Sequence, residues 1–80
     1  MVEPSSIEAS IRAGLACTHL EVQGDGAHFE AVIVSPAFAG LNRVRQHQLV
    51  YAALGDRMRQ EIHALSMKTF SPDEWAATRS

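Results

Sequence analysis

The sequence predicts an α+β domain in the order αββααβα, a three-stranded mixed sheet with helices packed on one face. Three observations predict it. Apolar residues recur every four positions up to Leu15 and every second position beyond Thr18, so a helix gives way to a strand. The cluster Gly24-Asp25-Gly26 separates two apolar runs at hairpin distance, which makes the first two strands antiparallel. A crossover of about 25 residues with a helical pattern then returns a third strand parallel to the second by a right-handed connection.

The first helix is expected after Pro4, with Ser5 or Ser6 as N-cap, Glu8 in the first turn, an apolar stripe of Ile7, Ile11 and Leu15, and an end near Gly14. Thr18 to Gln23 forms the first strand, where Leu20 and Val22 alternate with polar neighbours. From His28 to Ser35 the apolar content is nearly continuous, as in a central strand covered on part of both faces. Ser35-Pro36 ends it, and a connection carrying Phe38 leads to Asn42, a suitable N-cap. The second helix carries Val44, His47, Tyr51, Leu54 and Met58 at spacings of three or four. Gly55 falls inside that pattern and costs about 1 kcal/mol relative to Ala in a continuous helix, so a bend or two abutting helices is expected there. Ile62 to Phe70 is the third strand, with His63, Leu65, Met67 and Thr69 on one parity. Ser71-Pro72-Asp73-Glu74 combines an N-cap, a proline at the first helical position and two acids, and it starts a short last helix whose Trp75 packs back on the body.

Eighty residues make one domain, 1–80, because a second core needs roughly another 50. The single cysteine, Cys17, excludes an internal disulfide and a thiolate-rich zinc site. No apolar run approaches the roughly 18 residues of a membrane span and no export leader opens the chain, so a cytoplasmic protein away from membranes is expected. The net charge of −2 argues against a protein held on nucleic acid mainly by phosphate neutralisation. Arg43, Arg45, Arg57 and Arg59 nevertheless make a local basic face against only Asp56 and Glu61. No Gly-rich phosphate cradle, nucleophile elbow or forced acid pair is present, so an enzyme is not expected.

One set of residues carries a family resemblance. Phe29 with its apolar strand, Ser35 with Phe38, Gly40-Leu41, the stretch from His47 to Tyr51 with Leu54, the run from Ile62 to Thr69, and Pro72 with Trp75 fall in the order of the BolA family. Within it the chain resembles the short-loop subgroup called IbaG-like or YrbA-like, from about Ile7 to Trp75. The resemblance implies a fold like the class II KH domain and partnership with a monothiol glutaredoxin. It also implies a shared [2Fe-2S] cluster, present only in the heterocomplex with glutaredoxin and glutathione, in iron–sulfur trafficking, iron homeostasis or stress response. The free protein is then a monomer or weak homodimer. The family's Ile-His-Ala-Leu motif places one ligand at His63. The second comes from the turn between the first strands, where Gly24-Asp25 occupies the column that holds a His or Cys in longer-loop relatives. His28 is the candidate there, with Asp25 and Cys17 as weaker substitutes. Mixed thiolate and imidazole ligation is chemically reasonable, since a neutral imidazole lowers the cluster's negative charge and raises its potential.

Each residue also has a plainer reading. His63 without the motif is a strand-end histidine bonded to backbone, His47 a packing residue of the second helix, His19 a solvated side chain and Cys17 a small half-buried hydrophobe. The four arginines, with His47, are candidates for binding a partner or nucleic acid, and the arginines alone also fit a solvated helix face. Some members of the family have been regarded as transcription regulators, which makes a small DNA-binding regulator the alternative function, with weak binding expected. The Gly-X-X-Gly loop by which KH domains grip single strands is missing, since Gly40 stands between Ala39 and Leu41.

Overall fold

The computed structural model describes residues 2–79 and has the expected order of elements. Helix α1 spans Pro4–Gly14, β1 His19–Gly24, β2 His28–Val34, α2 Arg43–Leu54, α3 Arg57–Gln60, β3 Ala64–Phe70 and α4 Pro72–Arg79, with a 3-10 turn at Pro36–Phe38. The sheet order is β1-β2-β3, antiparallel in the first pair and parallel in the second.

The start of α1 differs from the expected cap. Pro4 itself opens the helix, since its fixed φ suits a helical turn and its missing N–H would find no acceptor there. Glu3 is the capping residue, and its carbonyl accepts from the N–H groups of Ser6 and Ile7. Ser5 and Ser6 therefore lie inside the helix. Ile7 and Ile11 are fully buried, and Leu15 is buried just past the end, where the chain is already extended. Gly14 lets α1 lie close on α2: a methyl group there would sit 2.9 Å from the Ala53 Cβ.

Leu20, Ile33 and Thr69 stand side by side across the three strands on the face that α1 and α2 cover. The next row, His19, Val34 and Phe70, points to the opposite face, and α4 folds over its end. Trp75 stacks on the His19 ring at 5.0 Å between centroids and tilts against Phe70 at 5.3 Å, and Val34 is fully buried. His19 is thus a packed residue that also reaches Glu21 at 3.1 Å, not a solvated one.

Helix α2 buries only part of the stripe its apolar spacing predicts, since Leu54 is in the core but Val44 and Tyr51 are not. Gln46, Val50 and Leu54 are in the core, whereas Val44 is 65% and Tyr51 41% exposed. The cause is polar. The amide nitrogen of Gln46 donates to the carbonyls of Phe38 (3.2 Å) and Leu41 (3.0 Å) in the preceding turn, where the Phe38 carbonyl also accepts from the Leu41 N–H. Its oxygen accepts from Thr69 Oγ1 and from an Arg43 guanidinium nitrogen, both at 2.7 Å. Gly55 ends α2 at a φ of +59°, the expected break, and α3 follows at once.

Strand β3 begins two residues later than expected, because the Ile62 N–H bonds to the Arg57 carbonyl at 2.9 Å and not to the ladder. Helix α4 opens on a reciprocal cap. Ser71 Oγ accepts from the Glu74 N–H (3.2 Å), and Glu74 Oε1 accepts from the Ser71 N–H (2.9 Å).

Candidate functional site

His63 occupies the bend between buried Ile62 and the first residue of β3, and its side chain is exposed. Ala64, the next residue, pairs in register with His28, the first residue of β2. Adjacent strands lie about 4.8 Å apart, so the parallel ladder brings His28 and His63 to one end of the sheet from residues distant in sequence. His28 is also exposed. Neither imidazole ring makes a hydrogen bond among the described residues, so each has a nitrogen open to an external partner. The backbone under them is fixed. His28 donates its N–H to Asp25 Oδ1 at 2.9 Å and accepts at its carbonyl from the Asp25 N–H at 3.2 Å.

Asp25 has a structural task in that turn. Its Oδ1 accepts from both His28 and Ala27, and those backbone N–H groups hold its carboxyl below the ordinary carboxylate range. Cys17 is at the wrong place for a ligand beside His28. Its neighbour Thr18 bonds to Val34 at the far end of β2, about 20 Å away at the rise of a strand. Burial raises the Cys17 pKa, with Arg12 opposing only in part, and the thiol donates to the Leu15 carbonyl at 3.4 Å. It is the half-buried hydrophobe of the plainer reading.

Among the described residues no group of three or more His, Cys, Asp or Glu side chains converges as a metal site. Two open imidazoles at one end of the sheet, His28 opening β2 and His63 in the bend before β3, would supply two of the four ligands that a [2Fe-2S] group takes. They fit a [2Fe-2S] group only if another molecule supplies the remaining ligands, and thiolates are the natural complement.

The four arginines are divided by the fold. Arg43 donates to Gln46 and to the Thr69 carbonyl (2.7 Å), pairs with Glu74 at 3.5 Å and lies over the Phe70 ring. Arg57 reaches back to α1, donating to the Ser6 carbonyl (3.0 Å), Ser6 Oγ (2.8 Å) and Ser10 Oγ (2.7 Å), and it pairs with Glu61 at 3.1 Å. Arg45 and Arg59 are exposed, and their side chains are bonded to no described residue. His47 is half-buried, its Nε2 shielded and without a hydrogen-bond partner, which places it with the packing residues. Gln46 and the Arg57 clamp are what reading the sequence missed. The Arg57 clamp has no local signal, as its serine partners are 51 and 47 positions away.

The model of the BolA-like protein family matches residues 2–74. The acid stress protein IbaG of Escherichia coli K12 is 35% identical, over 98% of this chain and 94% of its own. The DNA-binding transcriptional regulator BolA of Haemophilus influenzae is 39% identical over 74% of this chain and 57% of its own. Among solved structures, a bolA protein homologue from Coxiella burnetii superposes with a TM-score of 0.86 at 45% identity, covering 95% of this chain and 99% of that one. No helix among the described residues is long and apolar enough to cross a membrane.

Proposed function

The chain belongs to the BolA-like protein family, and on that premise we propose that it is a cytoplasmic adaptor that docks on a monothiol glutaredoxin and lends His63 and His28 to a shared [2Fe-2S] cluster. The observation that carries this reading is the pair of exposed, unbonded imidazoles at one end of the parallel β2–β3 ladder. In the heterocomplex the glutaredoxin and a glutathione supply thiolates, and the imidazoles raise the potential at which the cluster takes up an electron. This chain's part is to present bare ring nitrogens from one end of the sheet. A neutral ring is needed for that, so the complex weakens in acid. The role is iron–sulfur trafficking, iron homeostasis or a stress response coupled to them.

The test is co-expression with a monothiol glutaredoxin, followed by size exclusion with visible absorption and circular dichroism. His63→Ala removes an exposed side chain outside the ladder, so it leaves the fold and the docking of apo-glutaredoxin intact. It abolishes the heterocomplex spectrum and leaves that of a glutaredoxin homodimer. An unaltered heterocomplex spectrum for this variant overturns the ligand assignment.

A second reading, a DNA-binding regulator, is favoured by the two free arginines, Arg45 and Arg59, and by the name of the Haemophilus relative. It ranks lower because α3 has only four residues and its Arg57 faces inward, so α2 and α3 do not make a two-helix reader of a DNA groove.

A further inference from the structure

Helix α3 launches His63, yet it has little of its own to hold it. It is four residues long, none of them fully buried, and its N-cap residue Asp56 makes no side-chain cap bond. A helix of one turn is unstable in isolation, because nucleation fixes more backbone than its bonds repay. Met58 packs against the core, and the polar tie to α1 is Arg57. Its side chain, 21% exposed, donates through the guanidinium to the hydroxyls of Ser6 and Ser10 in α1, to the Ser6 carbonyl and to the Glu61 carboxylate. The backbone carbonyl of the same residue accepts from the N–H groups of Glu61 and Ile62, each at 2.9 Å. His63 is therefore suspended between two fixed points. On one side is Ile62, buried and bonded to Arg57; on the other is Ala64, paired with His28.

We propose that Arg57 is a positioning residue for His63, an inference that rests on the ligand reading above: its side chain clamps α3 to α1 while its carbonyl fixes the step into the His63 bend. A ligand held this way is already ordered before it meets iron, so the ordering entropy is not charged against binding. The planar fork of arginine suits the task, since one group reaches several acceptors in fixed directions, and lysine would reach fewer.

Three variants test it. Arg57→Met keeps the stem and removes the donors, Arg57→Lys keeps the charge, and the Ser6→Ala/Ser10→Ala pair removes only the hydroxyl acceptors. In the free protein, which needs no cluster, amide hydrogen exchange at Ile62 is compared with that at Ile33 in the core. In the glutaredoxin heterocomplex, reduced by one electron, pulsed electron paramagnetic resonance reads the nitrogen couplings of the imidazole ligands. With Arg57→Met, exchange at Ile62 rises on the order of tenfold relative to Ile33, and one nitrogen coupling broadens or shifts. The serine pair moves both readouts the same way by less, and Arg57→Lys restores part of each. Unchanged relative exchange at Ile62, or faster exchange with unaltered nitrogen couplings, overturns the proposal. Should Arg57→Met fail to fold, the serine pair decides by the same two criteria. His63→Ala run alongside identifies a failure of the ligand reading itself, because it removes a nitrogen coupling only if His63 is bound.

Discussion

Thr69 donates its hydroxyl to the side-chain oxygen of Gln46 at 2.7 Å, and both residues are about 1% exposed. This bond joins the end of β3 to the first turn of α2, and it is the inner part of a polar cluster that continues through Arg43 to Glu74. Removing Gln46 strands several buried groups at once, each costing about 1–3 kcal/mol. Gln46→Ala is expected to lower stability by about 3 kcal/mol, and Thr69→Val, which loses one donor without changing shape, by about 1 kcal/mol. Urea unfolding measures both. Equal, small losses for the two variants contradict the view of Gln46 as the hub.

The close approach of Gly14 to Ala53 sets two opposed effects against each other. Alanine gains about 1 kcal/mol in helix propensity over glycine, whereas forcing a methyl group into a 2.9 Å gap costs about 1–3 kcal/mol. Gly14→Ala should therefore destabilise on balance, and Ala53→Gly in the same chain should recover only part of the loss, because the added methyl group still meets the residue 53 Cα at 3.0 Å. A melting temperature raised by Gly14→Ala alone would show that the two helices part easily.

Acid sensitivity follows from two carboxylates. The N–H groups of His28 and Ala27 depress the Asp25 pKa, and the Ser71 N–H, then Arg43, depresses that of Glu74. A folded pKa below the unfolded one means that the folded chain binds fewer protons, so the stabilisation is complete above the ordinary carboxylate range. It is lost as pH falls through the lowered folded values. Asp25→Asn with Glu74→Gln keeps hydrogen-bonding side chains and removes the titration. Urea midpoints from neutrality to below about pH 4 should fall less steeply for this double variant than for the native chain. Identical slopes would assign the acid response to other groups.

For duplex DNA, the net charge of −2 and two free arginines predict weak, non-specific binding whose log affinity drops steeply with log salt. Arg45→Ala and Arg59→Ala should each flatten that salt dependence slightly. An anisotropy titration at two salt concentrations decides, and near-nanomolar binding of one fixed sequence at physiological salt would promote the regulator reading above the adaptor.

The strands, the hairpin turn and the break at Gly55 were legible because each depends on neighbours in sequence. The inner face of α2 was legible only in part, at Leu54. Apolar spacing pointed to Val44 and Tyr51, and the position that enters the core is a glutamine whose partners come from the preceding turn and from β3. For the candidate site, sequence and structure contribute different things. The family motif marked His63, and the pairing of His28 with Ala64 supplies the proximity that local pattern has no means of giving. The use made of Arg57 depends on serines at the other end of the chain, so its charge alone suggested a surface role.

The same parallel pairing has a kinetic consequence. His28 and Ala64 are some 36 positions apart, and β3 joins only after the crossover that contains α2 and α3 has closed, whereas the β1–β2 hairpin forms from adjacent residues. The two histidines become neighbours at the end of folding. On the proposed ligand reading, a growing or partly unfolded chain would offer them to stray metal as separate single donors with no chelate effect, and the pair would exist only in a molecule that has finished folding.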